Sequence, residues 1–148
     1  MPNTISLNGR PRRMERIAGA TITPGYLLAI QTDNTVDPHG AAASNAYALF
    51  AAENEVFGGE ITDDYVSGDN VLMWMCKPGD EIYALLPASA TAVVIGSYLQ
   101  SGGDGTLVLA AADAATDTAQ REAIVAIALE AVDNSGGGAE ARVRVMVV

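Results

Sequence analysis

At 148 residues the chain is long enough for one domain with a full core, and no run of apolar residues reaches the length that spans a bilayer. Apolar residues make up 49%, but alanine supplies much of that and aromatics only 5%, so little area is buried per residue and association would add stability. Eight basic against 18 acidic side chains leave a net charge of −10, which argues against a nucleic-acid-binding body and an anionic membrane surface, and a single cysteine excludes an intramolecular disulfide framework.

The first 16 residues hold four arginines (Arg10, Arg12, Arg13, Arg16) and one acid (Glu15), net +3, while the remaining 132 hold 17 acids and four bases, net −13. Pro2, Asn8-Gly9 and Pro11 interrupt this stretch, and no apolar core of signal-peptide length follows the arginines. Residues 1–16 read as an extended, mobile arm ahead of a single β-rich domain over 17–148. Ile5 and Leu7 alternate with polar neighbours, so this piece is suited to add as a strand to another surface. The arginines are suited to an acidic protein surface, since the acidic body would repel a nucleic acid.

From Ile17 the turn residues become regular. Thr23-Pro24-Gly25 precedes the apolar run Tyr26–Ile30, Thr32-Asp33-Asn34 turns again, and Val36–Gly40 is a loop. Ser44-Asn45 caps an expected short helix over Ala46–Ala52, ended by Gly58-Gly59. Asn70–Cys76, Glu81–Leu86 and Ala92–Leu99 read as strands, and Asp104-Gly105 as a hairpin tip returning through Thr106–Ala110. Asp113–Glu122 is a loop or a weak helix. The tail alternates, with Val143, Val145 and Val147 facing one way and Arg142, Arg144 and Met146 the other. That pattern pairs 140–148 with 124–132 in a hairpin around the Asp133–Gly138 loop, although propensity leaves helix as the alternative for 124–132. Breakers every 8–12 residues point to a mainly β sandwich or barrel with one or two short helices.

No residue pattern assembles catalytic machinery. His39 has Ser44 and Asp37 nearby in sequence, yet no Gly-x-Ser-x-Gly elbow exists, and a loop histidine is the simpler reading. Cys76 beside Lys77 reads as a small core residue. One His and one Cys build no zinc site, and Asp33, Asp37, Asp63, Asp64, Asp69, Asp80 and Asp104 follow no EF-hand spacing; most sit in turns. The glycine clusters at 102–105 and 136–138 lack a phosphate-binding setting. No catalytic residue, cofactor or metal is expected.

Taken in order, ITPGYLLAI (22–30), NAYALFAAENEVFGGEITDDYVSGDNV (45–71), CKPGDEIYALLPA (76–88), GSYLQSGGDGTL (96–107), VAIALEAVD (125–133) and ARVRV (141–145) resemble the head decoration, or cement, proteins of tailed bacteriophages. The resemblance implies a small β-tulip-like protein, made in the host cytoplasm and bound outside the capsid of the virion. It also implies trimers at three-fold or quasi-three-fold sites, with N-terminal arms reaching major capsid protein subunits, a stabilised shell, and no enzymatic activity. On that view Ile5, Leu7, Arg10, Arg12, Arg13 and Arg16 are the capsid-contacting residues, and deleting 1–16 weakens binding while sparing the fold. The partners expected are the capsid and further copies of the chain, not nucleic acid or membrane. The other reading is a virion surface module that recognises host carbohydrate through loops 33–40, 101–105 and 133–138.

Overall fold

A computed structural model describes residues 2–110 and 118–148. In chain order the strands are β1 (Ser6–Asn8), β2 (Arg12–Ala18), β3 (Leu28–Ile30), β4 (Thr35–Pro38), β5 (Leu49–Ala51), β6 (Asn70–Met75), β7 (Glu81–Leu86), β8 (Tyr98–Ser101), β9 (Leu107–Leu109), β10 (Ile124–Ala128) and β11 (Ala141–Val147). A 3₁₀ turn covers Glu55–Phe57, and one short helix, α1, covers Thr118–Glu122. The fold is a mainly β, sandwich-like pair of sheets, as composition and punctuation indicate. None of the described helices is long and apolar enough to cross a membrane.

One sheet has six strands in the order β1-β7-β11-β10-β8-β9, every pair antiparallel. Its centre is the tail hairpin. Ala126 stands opposite Val147 and Ala128 opposite Val145, while Val143, Val145 and Val147 are buried. The second sheet has five strands in the order β3-β4-β2-β6-β5, and only the β2–β4 pair is parallel. Its outer strands turn back on each other. Gly25 N–H donates to Ala51 O (2.8 Å), and Ala51 N–H donates to Tyr26 O (2.9 Å). The sheet therefore curls without closing into a barrel.

The curl creates two apolar cores. Val36, Leu49, Val71 and Met73 fill its interior. Phe50 and Leu27, on its other face, meet Ile82, Leu99, Val125 and Val145 of the six-stranded sheet. Neither core is aromatic-rich; each relies on small β-branched and aliphatic side chains packed at close spacing.

Four sequence expectations change, the simplest being the Val36–Gly40 loop, of which Val36, Asp37 and Pro38 belong to β4 through pairing with β3 and β2. Residues 5–16 are built into the body and are not a mobile arm: β1 pairs with β7, and β2 lies at the centre of the five-stranded sheet against β6. The breakers at Gly9 and Pro11 mark a crossing between sheets: the alternation at Ile5 and Leu7 does give a strand, β1, but against β7 of the same chain. Gly9 sits at φ +95°, and a Cβ there would come within 2.1 Å of Asp80 Oδ1. The expected helix over 46–52 is instead β5, because Leu49, Phe50 and Ala51 are buried on both faces and tertiary packing outweighs alanine propensity. Ala92–Leu99 is strand only from Tyr98. Ser97 N–H donates to Val94 O (3.0 Å), and Gly96 at φ +88° closes a turn. The loop-or-helix stretch resolves as α1 from Thr118; residues 113–117 of it lie outside the described residues.

Candidate interaction surface

The six residues expected to touch a capsid fall into two groups. Ile5 is 0% exposed and packs between the sheets, and Leu7 is half-buried against the same core. Both anchor the fold in this conformation. Glu53, itself buried, fixes the segment by accepting hydrogen bonds from Thr4 Oγ1 and from Ile5 N–H (3.0 Å). Asp80 holds the next crossing, accepting from Arg10 N–H (3.2 Å) and from Lys77 N–H (2.8 Å).

The arginines stay at the surface. Arg12 is exposed opposite Met75, and Arg13 lies 3.6 Å from Glu15 and 3.7 Å from Glu55. Arg16 is half-buried; its Nη1 donates to Glu15 O (2.9 Å), and its Nε is buried without a partner. Four guanidinium groups thus line one strand and its lead-in.

His39 lies in a loop just past β4, as expected, but it is not loose. It is buried, with Nδ1 2.7 Å from Ser101 Oγ and Nε2 3.3 Å from Asn45 O. A carbonyl only accepts, so Nε2 is the donor to Asn45 O, while the Ser101 hydroxyl can serve Nδ1 as donor or acceptor. The neighbours in sequence do other things: Ser44 Oγ donates to Ala41 O (2.8 Å), and Asp37 Oδ1 is buried without a partner. Ser101 is 0% exposed, so the Ser–His pair is a polar joint between the two sheets. His39 also borders an open groove of about 470 Å³ where β3 and the chain entering β5 part, lined by Leu28, Ala29, Ile30, Asn45, Ala46 and Tyr47. Tyr47 is 83% exposed at its rim, and Phe57, 86% exposed, projects from the 3₁₀ turn.

The aspartates serve turns. Asp33 Oδ1 accepts from Thr35 N–H (3.0 Å) and Oγ1 (2.7 Å); Asp133 Oδ1 accepts from Ser135 N–H (3.0 Å) and Oγ (2.6 Å). These bonds hold both carboxyls below the usual carboxylate range. Among the described residues no group of three or more His, Cys, Asp or Glu is placed to hold a metal. Burial, with the charge of Asp80, pushes the Cys76 thiol up to about 12.

Sequence reasoning missed Arg142. Its Nη1 donates to Pro24 O (2.6 Å) and Tyr83 O (3.3 Å), its Nη2 donates to Ile61 O (2.5 Å), and its guanidinium lies 5.7 Å from the Tyr83 ring centre. Burial lowers its pKa. The tail alternation put Arg142 opposite the valines, and nothing in the pattern marked it as a clamp joining the sheets.

The loops that the alternative reading assigns to carbohydrate, 33–40, 101–105 and 133–138, are partly gathered. Ala43 N–H donates to Ser101 O (3.0 Å), and Gly105 N–H donates to His39 O (3.3 Å), so 38–45 meets 101–105. Tyr26 Oη donates to Glu140 (2.6 Å), which brings the end of the 133–140 connection to the same side as Gly105, packed on the Tyr26 ring.

The architecture is that of a two-sheet, mainly β protein with a curled second sheet. It is similar to a solved structure, the head fiber gp8.5 N base in bacteriophage phi29, with a TM-score of 0.58, 15% identity, and coverage of 94% of this chain and 95% of that one. No family model matches the sequence, and no curated protein matches it.

Proposed function

We propose that this chain is a structural protein of a tailed-phage head, seated on the outer surface of the capsid as a decoration or fiber-base module. The observation that carries the reading is that its fold is similar to the head fiber gp8.5 N base over 94% of this chain and 95% of that one. The sequence resemblance to cement proteins points the same way. The chemistry is compatible. Ser101 and His39 are locked in a buried joint, and three of the eight basic side chains, Arg12, Arg13 and Arg16, lie on one strand. In this reading the protein binds major capsid protein, assembles as a trimer at three-fold or quasi-three-fold positions, and stabilises the shell. A lattice of equivalent sites turns weak single contacts into avidity.

The test is co-sedimentation of the purified protein with heads stripped of it, alongside heat challenge of loaded and bare heads. Saturable binding that delays head rupture supports the reading; absence of binding to any head form refutes it. The glycan-binding reading keeps one specific observation in its favour, the exposed Tyr47 on the rim of an open groove. Saccharide platforms are commonly aromatic faces of this kind. It requires glycan-array signals that vanish in Tyr47→Ala.

A further inference from the structure

We propose that the open edge of β2 from Arg12 to Arg16, with Arg10 in its lead-in, is a docking strand that takes up an extended, acidic segment of another protein by strand addition. The proposal rests on the head-docking reading above and names the surface and the kind of partner segment.

The backbone geometry comes first. Cys76 N–H donates to Ala48 O (2.9 Å) and Ala52 N–H donates to Leu72 O (2.8 Å), so the even residues of β6 bond to β5. The odd ones, Val71, Met73 and Met75, face β2 and pair with Arg16, Met14 and Arg12. Ala18 N–H donating to Asp69 O (2.8 Å) gives the same alternation. The backbone groups of Arg13 and Glu15 therefore point away from β6. On that side β4 pairs only with Ile17 and Ala18, and no described strand lies beside residues 12–16. An open sheet edge sits in the middle of the sheet order.

The edge is held ready for a strand. Glu15 O accepts from Arg16 Nη1, the strand's own guanidinium standing where a neighbouring N–H would stand. The same guanidinium keeps Nε buried and without a partner. An incoming strand would take over the Glu15 carbonyl and release Arg16 to pair with a carboxylate, satisfying both groups.

Charge selects the occupant. The stretch carries four arginines and one glutamate, so two copies meeting edge to edge would set +3 against +3. A nucleic acid offers no peptide ladder and is repelled by a protein of net charge −10. An extended polypeptide alternating carboxylates with β-formers satisfies the backbone and the arginines together.

The probe is a nine-residue blocked peptide alternating glutamate and valine, added to the full chain and followed by fluorescence anisotropy and amide hydrogen exchange. Binding should slow exchange at Arg13 and Glu15 by about tenfold or more while leaving the amides of β10 unchanged. The Arg12→Glu/Arg16→Glu double variant should weaken binding about tenfold or more, whereas Arg121→Glu, on α1, should change it less than about twofold. The peptide N-methylated at alternate residues should not bind. Absence of peptide binding, or binding without protection at Arg13 and Glu15, or equal binding of heparin, overturns the proposal. If the double variant fails to fold, protection in the unmodified protein decides. Heads that take up the protein while the peptide leaves these amides unprotected sink the edge alone; a protected edge with no head binding sinks only the head-docking reading.

Discussion

Replacing Ile5 with alanine separates an integral N-terminal segment from a dispensable arm. The side chain is 0% exposed in the core between the sheets. Ile5→Ala removes three carbons, worth about 2.5 kcal/mol at about 0.8 kcal/mol per buried methylene. The hole they leave adds about 1–2 kcal/mol, because Ile5 O also accepts from Tyr83 N–H (2.8 Å) and Ile5 N–H donates to Glu53, so the backbone is pinned and cannot collapse inward. The expected loss is about 4 kcal/mol. With a urea m-value of about 2 kcal/mol/M, the unfolding midpoint falls by about 2 M. Equilibrium urea unfolding, followed by Trp74 fluorescence and far-UV circular dichroism together, reads it directly. Arg10→Ala, on the exposed crossing, should stay within about 0.5 kcal/mol of the unmodified protein. A midpoint for Ile5→Ala within the same margin would refute the reasoning and restore a mobile arm.

Three further outcomes follow from single contacts. Arg142→Met should cost about 3 kcal/mol in the same unfolding assay, since three carbonyls lose a charged donor, and Arg142→Lys should recover only part of it because one ammonium cannot reach all three. Asp33 and Asp133 have folded-state pKa values below the unfolded value near 3.8, so their contribution is present above that pH and is lost as pH falls through the lower folded values; Thr35→Val with Ser135→Ala should flatten the acid limb of a pH–stability curve. With its thiol pushed up to about 12, Cys76 should resist iodoacetamide at pH 8 in the native protein and react readily in urea, and fast native alkylation would contradict its burial.

The strands legible in the sequence were those whose signal is local. Glu81–Leu86 matches β7 end to end, the Asp104-Gly105 tip joins β8 to β9, and the alternating valines of β11 pair with β10 against the helical propensity of IVAIALEAV. Each is bounded by turn residues; β8–β9 and β10–β11 pair with their neighbour in sequence, whereas β7 is a short apolar run buried on both faces between β1 and β11. The parts that were not legible depend on distant partners. Residues 46–52 contain good helix formers, and only contacts with Trp74 and Leu27 make Phe50 a strand residue. Arg12–Ala18 is charged on both faces over its first half and has no hydrophobic alternation to announce it; it becomes a strand because β6 supplies a regular antiparallel partner from Met75 to Asn70. At the candidate surface the arginines were found by charge alone, whereas Glu53, Ser101 and Arg142 act across 48, 62 and up to 118 positions, beyond the reach of spacing rules.

An arginine-rich strand edge has a plain explanation, protection against aggregation, since charges on an open edge stop identical sheets from pairing. That explanation covers Arg12 and Arg13, which are exposed. It does not cover Arg16. A protective charge is most effective fully hydrated, yet Arg16 is half-buried, with Nε removed from water and unpaired and Nη1 occupied by the carbonyl of the preceding residue. A buried polar group left without a partner costs about 1–3 kcal/mol. A protective role alone returns nothing for that cost, because lysine in the same place would repel a second copy while staying solvated. A strand that arrives with a carboxylate removes the cost, supplying an acceptor for the guanidinium and a donor for the Glu15 carbonyl in one step. The half-buried arginine therefore favours an edge that excludes its own kind and admits an acidic one. Measuring Arg16→Lys distinguishes the two roles: under pure protection, stability rises or holds and peptide binding is unaffected, whereas under docking, stability holds and acidic-peptide binding weakens.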